Sequence, residues 1–363
     1  MDPRIREHAQ VIADHSTGIE AGDMVVLSAP PEAEDLLVAL YEAIGDRDAT
    51  PIHVGQSERA DRAFMRAADQ EELETPRHTK ALYEESDVLI TIRAPRNATE
   101  TSDVEPAATA ARQRASQPVQ EVALSKRWCL TQFPTAASAQ LAETSSEAYE
   151  QFVWDAVNLD WEAQRDFQEE MVERLDSAST VRIVSGERTD LTMSIDGMIP
   201  INDDARHNLP GGEVFTAPVF ESVAGEVYFD KPVYRQGREV TDARLVFEEG
   251  EVVEYAAEKN EDVLTEILET DPGARRLGEL GIGMNREIDR FTYNMLFDEK
   301  MGDTVHLAVG NAYDMTVGEN QEGNDSAAHV DMIVDMTTDS RIELDGEVVQ
   351  RDGTFAFEEG FEG

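Results

Sequence analysis

The chain has 363 residues, with 76 acidic against 31 basic side chains, a formal charge of −45, 40% hydrophobic residues and one cysteine. That length exceeds what one core usually serves, so two domains are expected, and the charge balance excludes nucleic acid as a partner. Cys129, set among apolar neighbours in KRWCLTQ, excludes an internal disulfide framework and a cysteine-rich zinc site and reads as a buried structural thiol.

The carboxylates are interleaved with apolar periodicity instead of gathered in one block, which predicts a folded chain. Only five of the basic residues are lysine, at 80, 126, 231, 259 and 300. Self-repulsion on this scale is screened in molar salt, where the Debye length falls to about 3 Å, so the surface resembles that of a halophile's cytoplasmic protein. The segment MDPRIREHAQVIADHSTGI has no apolar signal core, and no run of about 18 uncharged apolar residues occurs; a soluble protein without a membrane partner is expected.

In chain order, IEAGDMVVLSAP (19–30) predicts a turn and a strand. PEAEDLLVALYEAIGD (31–46) predicts a helix with Leu36, Leu37, Leu40, Tyr41 and Ile44 on its inner face, and ATPIHVGQ (49–56) a second strand. The alternation continues with SDVLITIRAP (86–95), a helix over about 104–116 and RWCLTQFP (127–134), which predicts a doubly wound α/β sheet. The first strand-to-helix turn, SAPPEAE, has neither G-x-G-x-x-G nor a Walker lysine, which argues against a dinucleotide.

From 144 to 176 the pattern is helical, with Ala163, Phe167, Met171 and Leu175 as a core-facing stripe. After residue 180 the texture changes to short strands and turns, interrupted by the helical NEDVLTEILET. The expected fold class is therefore α/β plus α+β: a Rossmann-like, non-nucleotide domain with a helical tail over 1–180, then a mixed, largely antiparallel metal-binding domain over 181–363.

The case for metal rests on the second half. In AAHVDMIVD, the side-chain period of 2 puts His329 and Asp331 on one face with Ile333, while Val330 and Met332 face the other way. TVHLAVGNAY carries His306 along a strand, with Tyr313 seven residues on. In LPGGEVFTAP a tight Pro-Gly-Gly turn leads into Glu213, and in RRLGELGIG glycines flank Glu279-Leu280 within an apolar strand. A carboxylate buried there needs a partner, and a metal is one remedy. Mixed carboxylate and imidazole donors suit Zn²⁺, Co²⁺ or Mn²⁺ better than Ca²⁺. His207, six residues before Glu213, reads as a loop histidine.

LPGGEVFTAP, ARRLGEL, NMLFDEKMGDTVHLAVGNAY and NDSAAHVDM occur in the order of four signatures of the metallo-aminopeptidases of the aminopeptidase T and aminopeptidase S type, and the sequence resembles that family over nearly its whole length. The resemblance implies metal ligands at Glu213, Glu279, His306, Tyr313, His329 and Asp331. It also implies two divalent ions (Zn²⁺, Co²⁺, Mn²⁺ or Mg²⁺), a homodimer, and removal of the N-terminal residue from peptides by a metal-activated water. Glu279 or Asp331 would bridge the ions. Glu279 and Tyr313 are the expected catalytic residues, Tyr313 either as a ligand or as a hydrogen-bond donor to the tetrahedral intermediate; Glu279, Glu213 and Glu226 are all open as the proton shuttle. The chain departs from the family at Met295 and Lys300, where threonine and asparagine are usual, and this bears on substrate preference. Two alternatives remain: a metal-dependent amidase or esterase acting on a small non-peptide substrate, and a non-enzymatic protein that binds ligands in a cleft.

Overall fold

The computed structural model describes residues 1–235 and 238–362. It divides into two compact units, Met1–Leu159 with Ala205–Gly211, and Asp160–Asp204 with Gly212–Gly363. Beside the sequence boundary near 180, this division groups the helix Trp161–Ser177 with the second unit.

The first unit is built on a five-stranded parallel sheet in the order Thr50–Gly55, Met24–Ala29, Val88–Arg93, Arg127–Gln132, Asn208–Leu209. Strand Met24–Ala29 pairs with a neighbour on each side, so the winding reverses there. Right-handed crossovers then send helices to both faces, as a doubly wound sheet requires. Sandwiched strands should be apolar throughout, and Val25, Val26, Leu27, Val88, Ile90, Ile92 and Cys129 are buried. Helix Glu34–Gly45 corrects one expectation: its buried face is Leu36, Ala39, Leu40, Ala43 and Ile44, whereas Tyr41 is 39% exposed. The small Ala39 and Ala43 let this helix approach its neighbours closely. The helix expected over 104–116 runs from Pro106 to Leu124, opened by a proline at its first position. Helices Glu58–Ala67 and Arg77–Glu84 bury none of their residues.

In the second unit, Trp161–Ser177 starts at Asp160, whose side chain accepts from the Ala163 N–H at 3.1 Å. Its buried residues are Trp161, Gln168, Met171 and Leu175; Ala163 of the expected stripe faces outward. Three antiparallel sheets follow among the described residues. One is the pair Val233–Arg235 and Arg238–Val240, and one has eight strands. The third has five, in the order His329–Asp335, Thr304–Gly310, Leu277–Gly283, Glu213–Thr216, Ile201–Asp203.

The register of this five-stranded sheet determines what each face holds. Residues directly opposite one another point to the same side, and Gly281 stands opposite both His306 and Phe215, Gly283 opposite Glu213, Ala308 opposite Glu279 and Asp331, and Gly310 opposite His329. With the alternation along each strand, Glu213, Glu279, His306, His329 and Asp331 therefore share one face. Leu280, Ile282, Val305, Leu307, Val309, Val330, Met332 and Val334 take the other and join one core with Val181, Ile183, Leu191 and Met193 of the eight-stranded sheet. Each such fully buried aliphatic side chain contributes roughly 1.5–3 kcal/mol, so the apolar side anchors the polar one.

Candidate metal centre

The first strand of the site, Glu213–Thr216, follows directly on the Gly211-Gly212 turn. Gly212 has φ +115°, and a Cβ there would stand 2.4 Å from the Asn285 side chain, so the approach to Glu213 requires glycine. Behind this strand, the fully buried Gln168 reaches the Glu213 carbonyl at 2.9 Å, the Asp203 carbonyl at 3.1 Å and Asn202 Oδ1 at 2.7 Å. The helix thus fixes the backbone that carries the first carboxylate.

Space for the ligands comes from the absent side chains of their neighbours. A Cβ at Gly281 would lie 2.0 Å from His306 Cε1 and Nε2, so the imidazole occupies the place a side chain would take. His306 is fully buried, and its Nε2 stands 3.1 Å from Glu279 Oε1 and 3.1 Å from Glu213 Oε2. One N–H cannot serve both oxygens. His329 Nδ1 faces the Asn311 carbonyl at 2.9 Å, and because a carbonyl only accepts, Nδ1 carries the hydrogen and the lone pair of a neutral ring is left on Nε2. That Nε2 is 3.6 Å from Asp331 Oδ1 and 4.0 Å from Glu279 Oε2.

Two groups of potential ligand atoms result, Glu213–Glu279–His306 and Glu279–His329–Asp331, with the atoms of each group within 4.8 Å of one another. Glu213 Oε2, Glu279 Oε2, Asp331 Oδ1 and His306 Nδ1 are buried and lack a hydrogen-bond partner among the described residues. Orphaned carboxylate oxygens beside imidazoles are an arrangement that a divalent cation relieves, and the donor set fits zinc-like ions.

The charges are correspondingly displaced. Burial pushes Glu279 up, reinforced by Asp331 and Glu213 against the opposing pull of His306. For Glu213 burial also acts upward, but Lys300 and His306 outweigh it and hold the carboxylate below its usual range. Burial disfavours the charged forms of His306 and His329, yet the carboxylates prevail: His306 is driven well up and His329 to about 9.

Tyr313 lies in the turn after the His306 strand, 45% exposed, its ring 4.8 Å from that of His329 and 6.3 Å from that of Phe215. Partial burial first, then repulsion by Glu279 and Asp331, keeps its phenol protonated beyond the ordinary tyrosine range. His207 belongs to the first unit, its ring 4.7 Å from that of Trp128. Glu226 sits on the eight-stranded sheet and accepts from Arg244 Nη2 at 2.9 Å, so its carboxylate is engaged elsewhere.

Two neighbours, Asp203 and Glu299, were not singled out in the sequence, and Lys300 was marked there only as a departure from the family. Lys300 is 0% exposed; its Nζ donates to Glu213 Oε1 at 3.0 Å, stands 3.6 Å from Asp203 Oδ2 and contacts Glu299. Glu299 is raised to about 8, by burial first and by Glu213 and Asp331 next, with Lys300 opposing. The legible signal was the lysine itself, since one of only five in an acid-rich chain falls inside the apolar run NMLFDEKMG.

A face of carboxylates and imidazoles on glycine-interrupted strands defines a metal-binding class of protein, and comparison with known proteins gives the class a family. The family model of the thermophilic metalloproteases (M29) matches residues 1–355. The chain is 36% identical to aminopeptidase AmpS of Bacillus subtilis (strain 168) over 199 residues, 47% of this chain and 48% of that protein, so this match spans about half the relative's length. It is 26% identical to aminopeptidase 2 of Geobacillus stearothermophilus over 98% of each. The solved structure of wild-type AmpT from Thermus thermophilus superposes with a TM-score of 0.86 at 25% identity, covering 98% of this chain and 99% of that one. The chain belongs to the thermophilic metalloprotease family, the aminopeptidase T and S type that the four sequence signatures resembled. It is by class a metallopeptidase, with the α/β and antiparallel parts expected of it.

Proposed function

We propose that this chain is an aminopeptidase that works with two divalent ions and removes the N-terminal residue of peptides. The observation that carries the reading is the position of Glu279, the one side chain common to both ligand groups. Glu213 and His306 would complete one group, His329 and Asp331 the other, and Glu279 would lie between them. Bound there, the ions would supply Lewis acidity and bring a water molecule's pKa towards about 7.

The chain's own residues do the rest. The fixed sheet register holds the five donors in place, and the apolar face behind them excludes water from the back of the site. The concentrated negative charge favours a substrate that presents an α-ammonium group. Tyr313, protonated at all working pH values, can donate its hydroxyl to an oxygen that gains charge during attack on the scissile carbonyl. Glu299 belongs to neither ligand group, lies against Lys300 and is pushed upward chiefly by burial, so it joins Glu279 and Glu213 as a candidate proton shuttle. A homodimer in a salt-rich cytoplasm is part of the same reading, supported by the family resemblance and by the charge of −45. No helix among the described residues is long and apolar enough to cross a membrane.

The test is hydrolysis of an aminoacyl anilide in molar KCl after chelation, followed by separate add-back of Zn²⁺, Co²⁺, Mn²⁺ and Mg²⁺. Loss and recovery of activity, with N-acetylated substrate untouched, is the expected result. Equal turnover of free and acetylated substrate would replace the aminopeptidase by a broader amidase, the second reading that the same ligand set allows.

A further inference from the structure

Lys300 is built into a centre of carboxylates and imidazoles, and its place is fixed from two directions. Its carbonyl accepts from the Asn285 N–H at 3.1 Å, and the next turn is held by Gly302 N–H to the Asn285 carbonyl at 3.0 Å. The side chain runs inward to Glu213 Oε1 at 3.0 Å, with Asp203 and Glu299 as its other charged neighbours. A fully buried ammonium is tolerated only beside an ionised partner, which the Glu213 carboxylate supplies.

The two oxygens of Glu213 are thereby divided. Oε1 is taken by the ammonium, while Oε2, turned to His306, is without a hydrogen-bond partner among the described residues. Among the described residues no lysine ion pair reaches Glu279, His329 or Asp331, and Lys300 acts on Asp331 only at longer range. A cation fixed beside one group and not the other must bias the two unequally, because like charges repel and the effect is strong where water is excluded.

Resting on the two-ion reading above, we infer that Lys300 is a positioning residue that makes Glu213 a one-oxygen ligand and weakens ion binding at the Glu213–Glu279–His306 group relative to the Glu279–His329–Asp331 group. The two sites are then graded in affinity. The ion on the Glu213 side, sharing its carboxylate with an ammonium, is the more electron-deficient of the two and the more readily exchanged.

The experiment titrates Co²⁺ into chelated, full-length protein in molar KCl, following visible absorption and heat, for wild type, Lys300→Gln, Lys300→Met and Lys300→Arg. Gln keeps a donor for Glu213 without the charge, Met removes both, and Arg keeps the charge. In wild type two Co²⁺ sites of different affinity are expected. In Lys300→Gln and Lys300→Met the weaker site should tighten roughly tenfold or more, whereas Lys300→Arg should keep the wild-type gap. Only Lys300→Met, which releases Glu213 Oε1, should also change the shape of the Co²⁺ absorption.

Neutral variants that fold only with Co²⁺ present would support the inference, because the ion then takes over the lysine's charge. An unchanged or weaker second site in both neutral variants would overturn it, as would their failure to fold even in saturating Co²⁺. Wild type that binds fewer than two ions would instead sink the two-ion reading, an outcome visible before any variant is measured.

Discussion

Each unit of the chain contains a five-stranded sheet and a histidine with 0% exposure, and the two histidines have opposite fates. His8, on the helix Pro3–Gln10 of the first unit, meets Thr131 Oγ1 at 2.8 Å and the edge of Trp154 at 5.6 Å. Desolvation alone acts on it and pushes it down to about 3, so it stays neutral. His306 is buried as deeply but lies between two carboxylates, and they drive it well up. Burial therefore does not by itself dictate a charge state; the partners buried alongside do. The parallel sheet spends both faces on packing, whereas the antiparallel sheet packs one face and leaves the other for ligands.

Replacing Glu279 by Gln should widen that contrast most. Activity should fall roughly a thousandfold or more, about 4 kcal/mol of transition-state stabilisation, and metal content per chain should drop. The metal-free protein should meanwhile become more stable, since one of several mutually repelling buried carboxylates is gone. The matching change in the first unit, Leu27→Ala, should cost about 2–5 kcal/mol of stability. Metal analysis, kinetics and denaturant unfolding on the two variants would check this, and loss of metal-free stability in Glu279→Gln would contradict it.

The second prediction concerns pH. With its folded pKa near 3 and an ordinary value of 6.5, His8 binds fewer protons in the folded chain than in the unfolded one between those limits. Its contribution is therefore intact above pH 6.5 and is lost as pH falls towards 3, in full roughly 5 kcal/mol. His8→Leu should cost about 1 kcal/mol at pH 7 through the Thr131 contact, and this deficit should shrink or reverse by pH 4.5. Parallel unfolding curves of the two proteins across that range would remove desolvation as the explanation.

A smaller effect is expected of Gly281→Ala. The added methyl must displace the His306 ring, so kcat/KM should fall roughly tenfold to a hundredfold, about 1.4–2.8 kcal/mol, while stability drops by about 1–3 kcal/mol. Gly55→Ala in the parallel sheet, where an added Cβ meets nothing within 4 Å, should leave activity unchanged. An equal response at both positions would mean that the glycines of the ligand face have no special part in making room.

Much of this was legible in the sequence because period 2 and period 3.6 are local. The strands at Val25–Leu27, Leu280–Ile282 and Val330–Val334 announce themselves by alternation or apolar runs, and His329 and Asp331 fall on one face from spacing alone. What brings Glu213 and Glu279 to that face is cross-strand register, a long-range property that no single window contains. Tyr41 and Ala163 were misassigned because an apolar or small residue near a stripe does not say which edge of the stripe is covered. Lys300 was marked only as a departure bearing on substrate preference, and its burial was not foreseen because lysine is ordinarily a surface residue. Its role emerges only once three carboxylates from separate strands and turns stand around it.

The order of strands also bears on synthesis. Ser340–Leu344 pairs with Thr180–Ser185, the strand that opens the antiparallel part, and Asp331 comes last in chain order among the five candidate donors. The eight- and five-stranded sheets are thus left incomplete until these later strands have been made, and pairings between distant segments form slowly. A nascent chain on the ribosome can complete its parallel sheet only after residue 209, yet has no full set of donors until 331 has emerged. Under the two-ion reading, a chain that stops short of residue 331 would lack a donor of the second group, so topology ties metal capture to a strand made after all the others of its sheet.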